Sequence, residues 1–171
     1  LKLSEKLDPL LRRPISLHRI DAENGTLSLL YLVVGKGTAM LSQMEEGEML
    51  DVLGPLGNGW NCDFKGQHAV LVGGGIGIAP LYPLAKALLS SGKQVSLIMG
   101  AKSKAYLTGS EAYEQLGAQV FIATDDGSAG TPGLVTTPLQ QLIASGRCDQ
   151  IYACGPVPML RAVEATALEH N

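Results

Sequence analysis

Hydrophobic positions fall along this chain in two textures. Up to about Phe64 they come in short runs separated by turn residues: Ile15 to Ile20, then Asn24-Gly25, then Leu27 to Val34, and later Met49 to Leu53 ahead of Gly54-Pro55. Runs of that length, bounded by Asn, Gly and Pro, predict antiparallel strands. In the second run Leu27, Leu29, Tyr31 and Val33 share one side of the strand, and Ser28, Leu30, Leu32 and Val34 share the other. Such a strand is apolar on most of both faces, which predicts a mostly buried barrel strand. Thr38 to Met44 is expected to add one or two helical turns.

From about Gly66 the texture changes. Apolar runs at Ala69 to Val72, Val95 to Met99, Val120 to Ala123 and Gln150 to Ala153 alternate with helical spacing. Leu81, Leu84 and Leu88 stand at i, i+3, i+7, and Leu160, Val163 and Ala167 repeat the pattern. Buried strands alternating with amphipathic helices predict a parallel sheet whose crossovers are right-handed almost without exception. The polar connector Lys65-Gly66-Gln67 separates the textures. The expected organisation is therefore a short antiparallel β-barrel portion over 1–65 and an α/β domain with a parallel sheet over 66–171.

Composition narrows the classes. With 46% hydrophobic residues, 17% charged residues and a net charge of -3, the 171-residue chain reads as an ordinary globular protein with no cationic surplus for nucleic acid. Twenty-one glycines against 5% aromatics suit tight turns and close backbone approaches. Cys62, Cys148 and Cys154 form no CxxC pair, so a disulfide framework is not expected and a reducing, cytoplasmic setting fits best. No apolar run approaches the roughly 20 residues of a membrane helix, and the N-terminus has no signal-peptide pattern. The first residue is Leu rather than Met, so the chain reads as a fragment or a trimmed form of something longer.

Two segments carry the candidate chemistry. Gly73-Gly74-Gly75-Ile76-Gly77, followed by Ala79-Pro80, lies between an apolar strand and an amphipathic helix. Glycines there permit a sharp turn, so that backbone N–H groups and a helix N-terminus can face a pyrophosphate. Cys154-Gly155-Pro156 stands where another parallel strand gives way to a helix, the usual place for ligands in open α/β sheets. Asp125-Asp126-Gly127-Ser128 follows a third strand and reads as a turn on the same side rather than a metal or acid/base site. Lys102 and Lys104 have the reach for a 2′-phosphate, although exposed loop lysines are usually solvated. His18, His68 and His170 are too scattered for a ligand set, and no metal site is expected.

The GGGxGxxP turn and the Cys154-Gly155-Pro156-x-x-Met159 element, in that order, resemble the ferredoxin-NADP reductase superfamily. Arg13-Pro14-Ile15-Ser16 is similar to that superfamily's flavin signature. The form Arg12-Arg13-Pro14-Ile15-Ser16, with Ile15 where most members have an aromatic, resembles the electron transfer subunits of dihydroorotate dehydrogenase B. Leu30-Tyr31-Leu32, Gly35-Lys36-Gly37-Thr38 and the Asp125 to Ser128 turn extend the resemblance over essentially the whole chain.

What the resemblance implies is a two-cofactor relay. FAD would lie on the barrel portion, its pyrophosphate held by Arg13 and the helix opened by Gly37-Thr38, its surroundings lined by Pro14, Ile15 and Leu30 to Leu32, with Ser16 near the ring. NAD would lie on the α/β domain against Gly73, Gly74, Gly75, Gly77, Asp125, Gly127, Gly155 and Pro156. Cys154 would sit beside the reacting nicotinamide carbon, so that Cys154 and Ser16 are the candidate catalytic residues. Leu32 departs from the Arg frequent in the family, shifting the phosphate's anchoring toward Arg13 and the helix start. The implied partner is the dihydroorotate dehydrogenase catalytic subunit, in pyrimidine biosynthesis. The family's [2Fe-2S] cluster needs closely spaced cysteines, which this chain lacks. The alternatives are a flavin subunit of a ferredoxin-NAD(P) reductase or hydrogenase-type complex, and a non-catalytic nucleotide- or partner-binding fragment.

Overall fold

Among residues 1, 2, 8 and 10–170, which the computed structural model describes, the chain divides into two units, Leu1–Trp60 and Asn61–Asn171. The division precedes the polar connector because residues just ahead of it pack on the second unit. Tyr152 Oη donates to the Asn61 carbonyl at 2.6 Å, the Phe64 ring meets Tyr152 edge-on, and Lys93 Nζ stands 4.4 Å over Phe64. Asp149 then accepts hydrogen bonds of 2.8 Å from the N–H groups of Gln67 and His68.

In the first unit β1 (Leu17–Asp21) and β2 (Thr26–Leu29) form an antiparallel ribbon in which Leu17 faces Leu29 and Asp21 faces Thr26. The Asp21 carboxylate closes its turn by accepting from the N–H groups of Glu23 and Asn24, at 3.1 and 3.0 Å. The expected buried strand over Leu27 to Val34 is not found. β2 stops at Leu29, and Leu32, Val33 and Val34 are 55%, 57% and 81% exposed. Among the described residues β2 has β1 as its one strand neighbour, and no strand pairs with the rest of the run. The strand expected at Met49 to Leu53 reduces to one bridge, Lys2 with Asp51. The helix expected from Thr38 is present as α1 (Lys36–Leu41).

The second unit is a five-stranded parallel sheet ordered β6-β5-β4-β3-β7, built from β3 (His68–Gly74), β4 (Gln94–Ala101), β5 (Gln119–Thr124), β6 (Thr131–Pro132) and β7 (Gln150–Cys154). The four longer strands lie where the apolar runs predict them. Helices α2 (Leu81–Ser90), α3 (Ser110–Leu116), α4 (Thr136–Ala144) and α5 (Val157–Leu168) complete the unit. Period-two alternation divides the strand side chains between two faces. Val70, Val72 and Ile98 pack with Leu139 and Leu142 of α4 and Val163 of α5. On the other side of β3 the space beside Gly73 is filled by Leu81 and Ile78, which places α2 there. Leu81, Leu84 and Leu88 of α2 are at most 2% exposed, each burial stabilising by about 1.5–3 kcal/mol.

Candidate functional site

Strand order fixes where this sheet can bind something. The chain leaves β3 toward β4, β5 and β6, then returns to place β7 on the opposite side of β3. The ends of β3 and β7 thus flank a reversal of strand order, and a crevice outside the carboxyl ends of the strands is the expected ligand position. Gly73 pairs in register with Cys154, so the glycine turn and the Cys154-Gly155-Pro156 turn emerge side by side.

The two turns are packed backbone on backbone. A Cβ on Gly77 would lie 2.2 Å from the Cys154 carbonyl oxygen and 2.9 Å from the Gly155 nitrogen. A Cβ on Gly155 would lie 3.1 Å from Gly74 Cα, and one on Gly74 would meet Met159 Sδ at 2.5 Å and Pro156 Cδ at 2.9 Å. Gly75 is different. It is exposed with φ +54°, and nothing lies within 4 Å of its missing Cβ. It begins a 3₁₀ turn, Gly75–Ile78, that leads through Ala79 and Pro80 into α2. The arrangement is a bare backbone cradle at a helix start, open where Gly75 has no side chain, and it fits a pyrophosphate approached by N–H groups.

Cys154 borders this cradle, half-buried and free of any disulfide. Burial raises its thiol above the ordinary range, so at neutral pH it is a protonated group and not a thiolate nucleophile. Asp125 and Gly127 are exposed, two strands away from β3, at the same carboxyl end of the sheet. Their loop is tied to the one after β4: Asp125 N donates to Ala101 O at 3.0 Å, and Lys104 N donates to Ser128 Oγ at 2.7 Å. Asp126 accepts from the Ser128 hydroxyl at 2.6 Å and from the Ser128 N–H at 3.0 Å, which hold its carboxyl below the usual range.

The first unit gathers the other candidates. Of the adjacent arginines, Arg12 is committed to Asp51, its Nη2 lying 2.5 Å from the carboxylate. Arg13 instead lies across the start of α1, where a Cβ on Gly37 would meet its Nε at 2.5 Å and its Cγ at 3.0 Å. One guanidinium and the N–H groups of a first helical turn, which have no partners within a helix, are thereby brought together. The Thr38 hydroxyl is turned inward, accepting from Val34 N at 2.9 Å and Gly35 N at 3.2 Å and donating to Gly35 O at 3.0 Å. It shapes the turn and leaves anion contacts to the backbone. The Leu17–Leu29 register puts Pro14, Ile15 and Ser16 and Leu30, Tyr31 and Leu32 at the same open end of the ribbon. Ser16 and Leu32 are exposed, Ile15, Leu30 and Tyr31 half-buried.

One side chain of the turn's support carries no motif. Tyr113, fully buried on α3, donates its hydroxyl to the Ile78 carbonyl at 2.5 Å. In the sequence it is one aromatic in the short polar helix SEAYEQL between Gly109 and Gly117, and only the folded chain shows what it reaches.

Residues 71–165 match the family model of the oxidoreductase NAD-binding domain. The electron transfer subunit of dihydroorotate dehydrogenase B (NAD(+)) from Bacillus caldolyticus is 47% identical over 95% of this chain and 63% of its own length. That of Geobacillus thermodenitrificans is 46% identical over 96% of this chain and 63% of its length. The chain thus spans somewhat less than two thirds of these relatives. Among solved structures, an NADH-dependent reduced ferredoxin-NADP oxidoreductase superposes with a TM-score of 0.81 at 36% identity, covering 92% of this chain and 56% of that one. An Amycolatopsis cytochrome P450 reductase shares the fold, with a TM-score of 0.73 at 24% identity over 94% of this chain and 53% of that one. Among the described residues no helix is long and apolar enough to cross a membrane.

Proposed function

The chain belongs to the oxidoreductase NAD-binding domain family, and from that membership we propose that it is the cofactor-carrying core of an electron transfer flavoprotein. In this reading it passes electrons between NAD(H) and the catalytic subunit of a dihydroorotate dehydrogenase, within pyrimidine biosynthesis. The observation that carries the nucleotide half is the glycine turn packed on the Cys154–Gly155 turn at the reversal of strand order. The dihydroorotate dehydrogenase assignment rests on the likeness to those electron transfer subunits over 95% of the chain.

Bound FAD would supply the two-electron chemistry, accepting hydride from NADH and releasing electrons toward the partner. The protein's own work is binding and orientation. Arg13 and the first N–H groups of α1 offer positive charge and donors to the flavin's pyrophosphate. Ser16, exposed at the open end of the ribbon, offers a hydroxyl to the flavin ring. On the second unit the 3₁₀ turn offers N–H groups to the dinucleotide's pyrophosphate, and Asp125 offers an acceptor to its ribose. Cys154, protonated and half-buried, places a soft, uncharged group beside the nicotinamide. None of these residues has to move a proton for hydride to pass.

A visible spectrum of the purified chain tests the flavin half. Flavin absorbance, or its uptake from added FAD, followed by bleaching with NADH but not NADPH, supports the reading. A colourless protein that takes up no FAD sinks it. A second reading, the flavin subunit of a ferredoxin-NAD(P) reductase, is favoured by the 36% identity to the NADH-dependent reduced ferredoxin-NADP oxidoreductase. Reduction of ferredoxin in place of a dihydroorotate dehydrogenase subunit would select it.

A further inference from the structure

α3 is set between two glycines in the left-handed region, Gly109 at φ +78° and Gly117 at φ +96°, and Tyr113 is its one buried residue. The ring stands edge-on to Tyr82 of α2, with centroids 5.3 Å apart and planes at 79°. Anchoring the helix requires only an apolar ring, which Phe would supply. The hydroxyl is an extra polar group in a dry place, and such a group destabilises unless it is bonded. It is bonded to the Ile78 carbonyl, the last of the 3₁₀ turn.

Ile78 is where the turn's fixings meet. The Ala79 N–H donates to Ile76 O at 3.0 Å, so the Ile78–Ala79 peptide is held on its carbonyl side by Tyr113 and on its amide side by the turn. The Ile78 side chain occupies the space beside Gly73, with Cγ2 2.6 Å from where a Cβ would stand. The preceding residue, Gly77, is the one pressed on the Cys154 carbonyl. Burial, with Tyr82 and Cys154 adding to it, pushes the Tyr113 phenol far above its ordinary range, so the donor keeps its proton wherever NADH can be assayed.

We propose that Tyr113 is a positioning residue for dinucleotide binding, holding the Gly75–Ile78 turn against the Cys154–Gly155 turn through its hydrogen bond to the Ile78 carbonyl. This rests on the reading of that turn as the NAD site. α3 thereby sets the height of the phosphate cradle without touching the ligand.

The test uses the full chain and Tyr113→Phe, which keeps the ring and removes the donor. Ser96→Ala is the reference. It removes another buried side-chain hydrogen bond, His68 Nε2 to Ser96 Oγ at 2.8 Å, near the amino-terminal ends of β3 and β4. NADH affinity is measured by titration, thermal unfolding is recorded alongside, and amide hydrogen exchange is followed at Ala79. The expected result is roughly tenfold weaker NADH binding in Tyr113→Phe, with faster exchange at Ala79. Ser96→Ala should lose thermal stability to a similar degree while binding NADH as the unmodified chain does. Equal affinity in Tyr113→Phe and the unmodified chain overturns the proposal, as does equal weakening in both variants or unchanged exchange at Ala79. An unmodified chain that binds no NADH overturns the dinucleotide reading first and this proposal with it, an outcome separable from the others.

Discussion

Gly77→Ala isolates the contact on which the proposed nucleotide site is built. Gly77 needs no left-handed backbone, so alanine there carries no φ strain. The cost is space alone. The added carbon would stand 2.2 Å from the Cys154 carbonyl oxygen and 2.6 Å from its carbon, both of them backbone, with no flexible side chain to swing aside. The glycine turn and the end of β7 must part by about 1.2 Å to restore ordinary contact. Overpacking of this kind destabilises by about 1–3 kcal/mol. In a chain of this length each kcal/mol lowers the unfolding midpoint by about 2–4 °C.

If the turn binds the dinucleotide as proposed, the functional loss should be the larger effect, because N–H groups displaced by about 1 Å would no longer converge on its pyrophosphate. At least roughly tenfold weaker NADH binding is expected, equivalent to about 1.4 kcal/mol. Gly92→Ala is the control. At φ +82° with nothing within 4 Å, it adds backbone strain without a clash, on the loop between α2 and β4, away from the cradle. NADH titration and thermal unfolding of both variants separate the effects: Gly92→Ala loses stability and keeps its affinity, whereas Gly77→Ala loses both. A folded Gly77→Ala that binds NADH within about twofold of the unmodified chain would refute the packing argument.

Three further outcomes follow from other parts of the molecule. Gly37→Ala pushes Arg13, a movable side chain, off the start of α1, so FAD uptake should weaken severalfold with little change in unfolding midpoint, and unchanged FAD affinity would remove Arg13 from the site. Burial lowers the His68 pKa below its ordinary 6.5, so the unfolded chain takes up this proton first; stability should be full above about pH 6.5 and fall as the pH drops through the folded value, and His68→Asn should flatten that part of a midpoint-against-pH curve. Alkylation mapped by mass spectrometry should mark exposed Cys62 before Cys148, whose thiol burial pushes up to about 11, and before Cys154, with NADH protecting Cys154 further.

How much of the fold is legible in the sequence depends on what covers each run. β3 reads as a strand because Val70 and Val72 face α4 and α5 while its other side faces α2, and a strand covered on both sides is a continuous apolar word. Leu27 to Val34 spells the same word, yet pairing ends at Leu29 and Val34 is 81% exposed. Hydrophobicity states that a segment gains by being covered; it does not state by what. The partner strand and the layer beneath are tertiary facts, and the run carries no trace of their presence or absence.

The site shows the same divide at finer scale. Glycines 73, 74, 75, 77 and 155 are legible because each marks a place with no room for a side chain or a bend that disfavours one: Gly77 and Gly155 press on backbone, Gly73 and Gly74 on the side chains of Ile78 and Met159, and Gly75 turns at φ +54°. Arg13 is legible as a cation but not as the arginine of the pair that lies across the start of α1, where its Nη1 donates to the Leu11 carbonyl, while Arg12 reaches Asp51, 39 residues along the chain. Tyr113 is not legible. An aromatic in a short helix signals an anchor, and whether its hydroxyl has a task depends on the Ile78 carbonyl 35 residues earlier. Glycine patterns thus record where a cofactor can be approached, while the groups that hold the approach at its working height are set by long-range pairings. A variant series confined to the motif residues would therefore miss the lever at α3, and Tyr113→Phe and Gly77→Ala should weaken NADH by a common route, with less than additive loss when combined because both release the same turn.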